Sequence, residues 1–221
     1  MDRGLDLTER IAQTLRGLVV DGELTAGAQV NEVALSERLR VSRNTLREAV
    51  RILVHEGILE RRPHRGVFVA APDLGDVLDL YRVRRIIEIQ AVRDTPRHHP
   101  GIARVIDVAE RAAELREDGD WSGVGSTNMD FHAAIVALVD SPMLDAMFRT
   151  LLARMRLAFS QLGSPEFVHG PFVDDNLELA KLIRDGDTER AAELLDTYFM
   201  RSERTVTAAY GRMDIERSRP V

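Results

Sequence analysis

Arg43, Arg47 and Arg51 stand four residues apart, and Asn44 sits beside the first of them. On a helix that spacing lines three guanidiniums along one stripe. Guanidinium forks match guanine edges and phosphate oxygens, and a carboxamide matches the edge of adenine. A second basic cluster follows closely. RRPHR, residues 61 to 65, places three arginines and a histidine within five positions, with Gly66 next to it. Taken singly, Arg47 and Arg51 read more readily as salt-bridge partners of nearby acids, and RRPHR as an exposed hairpin with solvated arginines. Taken together, the stripe and the hairpin offer the chemistry needed to grip a polyanion and read its bases, which points to double-stranded DNA.

The elements that must position these residues can be read from periodicity. Leu7 to Val20 has apolar residues at Ile11, Leu15, Leu18 and Val19, a helical period with Thr8 as expected N-cap and Gly22 as stop. DGELTAGAQV reads as a loop. Glu32 to Leu39 is a short helix expected to turn Val33, Leu35 and Leu39 inward. Arg40-Val41 is the turn, and Ser42 caps a second helix running to about His55, with Leu46, Val50 and Leu53 on its apolar face. Thr45 stands where a full capping box would want an acid. Gly57 ends the helix. A reading helix set behind a short helix by a tight turn is the geometry that enters a major groove. Ile58 to Glu60 and Gly66 to Ala70 then read as two strands, with Val67 and Val69 alternating against Phe68 and Pro63 presetting the turn.

Charge and composition agree without deciding. The net charge is −6, but residues 31 to 70 hold eight arginines against five acids. Residues 1 to 72 are net +1 and the remainder net −7. Apolar residues make up 44% of the chain, enough for a sizeable core. The absence of cysteine excludes disulfides and thiolate metal sites. No apolar run approaches the roughly 18 residues of a membrane span. MDRGLDLTER has no apolar leader core, so a cytoplasmic protein is expected.

APDLGD, residues 71 to 76, carries Pro72 and Gly75 and marks a boundary. Helical patterns fill the rest: 76 to about 92, 102 to 115, 126 to 139, 142 to about 162, 172 to 184, and 188 to about 210. GSPEFVHGP reads as a loop between the fourth and fifth of these. The fold class expected is mainly α, an N-terminal winged helix-turn-helix over residues 7–72 followed by an antiparallel all-helical bundle over 76–212.

VNEVALSERLRVSRNTLREAVRILVHEGILE followed by RRPHRGVFV resembles the winged-helix domain of GntR-type bacterial transcription regulators. The resemblance covers about 65 residues, with one departure at Thr25-Ala26-Gly27, where the family often has Pro-Gly. It implies that Arg43, Asn44 and Arg47 reach bases or adjacent phosphates and that the hairpin tip, His64, Arg65 and Gly66, enters the minor groove; Ser42, Thr45, Arg51 and Arg62 are expected among the DNA-binding residues with them. It also implies a homodimer on a near-palindromic operator. DLYRVRRIIEIQAV, DFHAAIVALVDSPML and FVDDNLELAKLIRDGDTERAAELLDTYF resemble the FCD-type helical effector domain of the FadR-like branch.

Much of that branch holds a metal through one Asp and three His. Carried onto this chain, the pattern meets His132 but finds Asn128 for the Asp, and Asn176 and Tyr198 for the other two histidines. One imidazole with two amides and a phenol is not a zinc or nickel set, so no metal or other cofactor is expected. The four polar positions remain in an apolar bundle and need partners, either a hydrogen-bond network or a polar effector. Arg84 falls at a position that the resemblance turns toward the cavity. Two readings stand for it: a clamp for the carboxylate of an organic acid, or a salt bridge with Glu88 one turn on. For His132, a satisfied core histidine stands beside a role in contacting the effector.

The function expected is a ligand-responsive transcription regulator, with repression the expected direction. Two other classes stand against it. One is a helical metal-dependent enzyme with an accessory DNA-binding head, disfavoured because no second histidine joins His132 at metal spacing. The other is an architectural DNA-binding protein with no effector.

Overall fold

The computed structural model describes residues 6–163 and 165–217. Its first unit is α1 (Leu7–Val20), α2 (Glu32–Arg38), α3 (Arg43–His55) and an antiparallel hairpin of β1 (Leu59–Arg62) and β2 (Gly66–Val69). The order and pairing are those of a winged helix-turn-helix. Leu46, Ala49, Val50 and Leu53 give α3 a completely buried face, packed on Ala12, Leu15 and Val19 of α1. Gln29 forms an isolated bridge to Phe68, tying the loop after α1 to the hairpin.

Several local expectations need correction. Asp6, not Thr8, precedes the first turn of α1, because Arg10 N–H already bonds the Asp6 carbonyl at 3.1 Å. Val33 points outward and is 44% exposed. Positions two apart on a helix lie about 200° apart, so Val33 and Leu35 cannot both face the core. β1 begins one residue late and extends to Arg62, which places Arg61 and Arg62 in the ladder opposite Val67 and Gly66. The tip is therefore Pro63, His64 and Arg65, with His64 at φ 59° in the left-handed region.

The second unit is α4 (Leu74–Arg93), α5 (Ile102–Glu117), α6 (Trp121–Ala137), α7 (Pro142–Ser160), α8 (Pro165–His169), a 3-10 turn (Gly170–Phe172), α9 (Val173–Asp185) and α10 (Thr188–Arg217). Asp73 and Asp76 form a reciprocal capping box at the start of α4, so that helix begins inside the stretch read as linker. α6 starts five residues before the expected Ser126. Gly123 and Gly125 lie inside it, and both face neighbours too close for a Cβ. GSPEFVHGP is mostly helical rather than a loop.

The bundle core centres on Tyr81, Val105, Phe131, Ile135, Leu179, Ile183, Leu195 and Phe199, all essentially buried. The two units share a seam. Ala153 and Leu157 of α7 are wholly buried among the apolar residues of the first unit. Full burial of a leucine is worth roughly 1.5–3 kcal/mol, enough for Leu157 alone to favour the docked arrangement. Among the described residues no helix is long and apolar enough to cross a membrane.

Candidate functional site

Two sites emerge from this frame, one open and one closed. The open site is the outer face of α3 with the hairpin tip. Ser42 caps α3 by accepting from the Thr45 N–H at 3.0 Å, and its hydroxyl also meets that of Thr45 at 2.8 Å. The cap fixes the first turn, from which Arg43, Asn44 and Arg47 project into solvent. Neither Arg43 nor Arg47 makes an ion pair among the described residues. Arg51 differs, since its Nη1 bonds Glu48 at 2.6 Å on the same helix. In the hairpin, Arg62 pairs with Glu60 at 2.7 Å and lies 4.1 Å over the Phe68 ring. His64, Arg65 and Gly66 are exposed at the tip, and Gln29 Nε2 donates to the Arg65 carbonyl at 3.0 Å. Gln29 gave no signal in the sequence, because its role depends on the loop being folded back onto the hairpin.

The closed site is a chain of polar side chains through the bundle. Arg84 Nε donates to Glu88 at 2.8 Å. The other oxygen of Glu88 meets His132 Nδ1 at 2.6 Å. His132 Nε2 lies 3.1 Å from the Tyr198 hydroxyl, which is 3.2 Å from Asn128 Oδ1. Asn176 Nδ2 donates to that same Asn128 oxygen at 2.9 Å. All five expected effector residues are thus brought into one buried assembly, and Glu88 is its hub. The sequence paired Glu88 with Arg84 alone; its bond to His132 depends on how α4 packs on α6.

Electrostatics sharpen the picture. Burial pushes the Glu88 carboxyl up, but Arg84 and His132 beside it outweigh burial and hold it below the usual range. Burial lowers His132, against the pull of Glu88, and keeps the ring neutral. A neutral ring that gives its Nδ1 proton to Glu88 is left with an accepting Nε2. Tyr198 is pushed far up by burial and stays a phenol. Its single proton therefore has two acceptors, His132 Nε2 and Asn128 Oδ1.

This set does not fit the metal that the resemblance implies. Both nitrogens of His132 are already engaged, Tyr198 is no phenolate, and the other two positions are amides. Among the described residues there is no group of three or more His, Asp or Glu side chains arranged to hold an ion.

Among the described residues, three fully buried side chains of the bundle have a polar atom without a partner: Arg84 Nη2, Asn176 Oδ1 and His169 Nε2. His169 is 2% exposed and its ring is pushed down to about 3, first by burial and then by Arg156, His132 and Arg84. Sequence reasoning placed it in a loop and passed over it. A groove of about 710 Å³ also opens at the seam, lined by Arg16, Val20, Asp21, Met129, Asp130 and Leu152 among others. None of the five effector candidates lines it.

Comparison with known proteins bears on both units of the fold. Residues 7–69 match the family described as bacterial regulatory proteins of the gntR family, and residues 79–200 match the FCD domain. The chain belongs to the GntR family and carries an FCD domain. Such proteins are DNA-binding transcription regulators whose FCD domain senses a ligand. A putative GntR transcriptional regulator from Rhodococcus sp. RHA1, solved by crystallography, is 34% identical with a TM-score of 0.85, over 92% of this chain and 98% of that one. The HTH-type transcriptional regulator BphR of Paraburkholderia xenovorans is 28% identical, over 86% of this chain and 80% of its own length. The galactonate operon transcriptional repressor of Escherichia coli is 26% identical, over 86% of this chain and 93% of its own length.

Proposed function

We propose that this GntR regulator is a cytoplasmic, homodimeric repressor with no enzymatic activity, in which residues 7–72 read the operator and residues 76–212 sense a small organic acid. Arg43, Asn44, Arg47 and the Ser42–Thr45 cap meet the major groove. His64, Arg65 and Gly66 meet the minor groove, with Arg51 and Arg62 in supporting contacts. Arg84, Asn128, His132, Asn176 and Tyr198 surround the effector. One observation carries the reading of the effector: the bundle buries the guanidinium of Arg84 with Nη2 unpartnered. An unmade bond of that kind costs about 1–3 kcal/mol or more for a charged group, and a carboxylate would complete it. The repressor direction is supported by the name of the galactonate relative, and an acid effector fits a sugar acid.

Operator titrations with and without a panel of hydroxy acids and sugar acids test it. An acid that stabilises the protein in thermal shift and weakens its operator binding is the expected result. The reading fails if such an acid stabilises Arg84→Gln as well as it stabilises the wild type. A chain that binds operator DNA equally well after Arg43→Glu and Arg47→Glu defeats the assignment of α3.

A further inference from the structure

Arg156 lies near the end of α7 with 5% of its surface exposed. Arginine stays protonated when buried, so it needs a counter-charge or a full set of acceptors. Among the described residues it has no ion pair, and Asp21 acts on it only through space. Its Nε donates to the carbonyl of Val20 at 2.9 Å, and Ser126 Oγ donates to the same carbonyl at 3.3 Å. Val20 is the last residue of α1, so this carbonyl is one that the helix itself leaves unbonded. It also lies at the negative end of the helix dipole. The bundle therefore caps a helix of the reading head with a buried cation.

The other end of the guanidinium faces two glycines, one from each unit. Nη2 stands 3.3 Å from where a Cβ on Gly22 would be, and Nη1 stands 2.8 Å from where a Cβ on Gly125 would be. His169 Nε2 comes to 3.0 Å from that same position on Gly125. One planar group thus touches the head at Val20 and Gly22 and the bundle at Gly125, with the unpartnered Nε2 of His169 beside it. His169 in turn sits in the fields of His132 and Arg84. Among the described residues, the buried fixed charges are Arg84, Arg156 and Glu88, two positive and one negative. Arg156 is the member of that trio left without a partner of opposite sign.

We propose that Arg156 is the positioning residue that couples the bundle's polar centre to the reading head, by sharing its charge between the Val20 carbonyl and whatever charge the centre holds. A negative charge gained in the centre draws the guanidinium toward His169 and weakens its hold on α1. A negative charge lost there strengthens that hold. This inference rests on the proposed sensing role of the bundle, but its test needs no effector.

The test changes the charge of the centre by substitution and follows amide hydrogen exchange in the full chain. The amides read are those of Asp21, Gly22, Glu23 and Leu24, which bond the carbonyls of Gly17, Val19 and Leu18 at the end of α1. Glu88→Gln removes the buried negative charge, and Asn128→Asp, whose carboxylate would face the donors of Asn176 and Tyr198, adds one and serves if the first variant fails to fold. In the wild type, Glu88→Gln is expected to slow exchange at these four amides by about fivefold or more relative to amides in β1, and Asn128→Asp to speed it. In an Arg156→Gln background the same substitution is expected to leave them unchanged. Arg156→Lys, which keeps the charge and one donor, is expected to restore most of the response. Equal responses in the wild-type and Arg156→Gln backgrounds overturn the proposal. So does no response in either, or identical behaviour of the Lys and Gln variants, which would reduce Arg156 to packing. If no acid is found to bind but the response follows Arg156, the sensing role fails and the coupling stands.

Discussion

The face of α3 and the interior of the bundle use the same polar residue types under opposite conditions. Arg43 and Arg47 stand in water without partners, whereas Arg84 is 1% exposed and bound to Glu88. An exposed guanidinium is cheap to leave free, because water solvates it until a phosphate or a base edge arrives. A buried one is tied to its neighbours by the cost of desolvation, so changing any member shifts the rest. The surface is therefore built from separable contributions and the interior from coupled ones. On the proposed assignment, recognition of DNA is tuned residue by residue, while the buried polar centre responds as a unit.

The sharpest break in that contrast is Glu88→Gln. It leaves the Arg84 guanidinium buried beside a neutral amide and is expected to lower stability by about 3–5 kcal/mol. Urea unfolding of the purified variant measures it, and a loss below about 1 kcal/mol would mean that the centre is not coupled. Arg47→Ala comes next. It should leave stability within about 0.5 kcal/mol and reduce the slope of log affinity against log salt on operator DNA by about 1.

The third prediction concerns pH. His169 is held neutral in the fold down to about pH 3, while an unfolded histidine takes up a proton near its ordinary 6.5. The unfolded state then binds more protons, so stability falls as pH drops below 6.5. His132, also lowered, acts in the same direction. Glu88, lowered from 4.5, adds to the loss only below that value. His169 contributes up to about 1.4 kcal/mol per pH unit below 6.5. Denaturation midpoints of the wild type and His169→Asn between pH 7 and 5 should separate by that slope. The smallest effect is expected from Arg51→Ala. Its partner Glu48 already takes part of its charge, so it should weaken operator binding less than Arg47→Ala does.

The sequence is most legible where structure is local. The cap on α3 depends on Ser42 and Thr45 three residues apart, and its apolar face on a repeat within thirteen residues, so both are written in one short stretch. The convergence of Arg84, Asn128, His132, Asn176 and Tyr198 was legible only through resemblance, since no periodicity links residues on four different helices. His169 escaped notice for a physical reason. GSPEFVHGP has the glycines and prolines of a loop, yet packing folds most of it into α8 and a 3-10 turn. The start of α6 was missed in the same way. Gly123 and Gly125 weaken helix propensity, and the Asp120 cap together with the packing of Arg156 and His169 against Gly125 overrides it.

Pro72 joins the reading head to the bundle, and its carbonyl accepts from Gln161 Nε2 at 2.8 Å and lies 3.0 Å from the Tyr210 hydroxyl. The Asp73–Asp76 box follows at once. The connection is thus a splint with almost no slack. If the head is presented in duplicate, the two reading helices form a caliper of fixed opening. One added base pair between half-sites moves one of them by about 3.4 Å and turns it about the duplex axis. On the proposed homodimer, a splinted caliper has little means of following that turn, and operator choice would be set by spacing as firmly as by base identity.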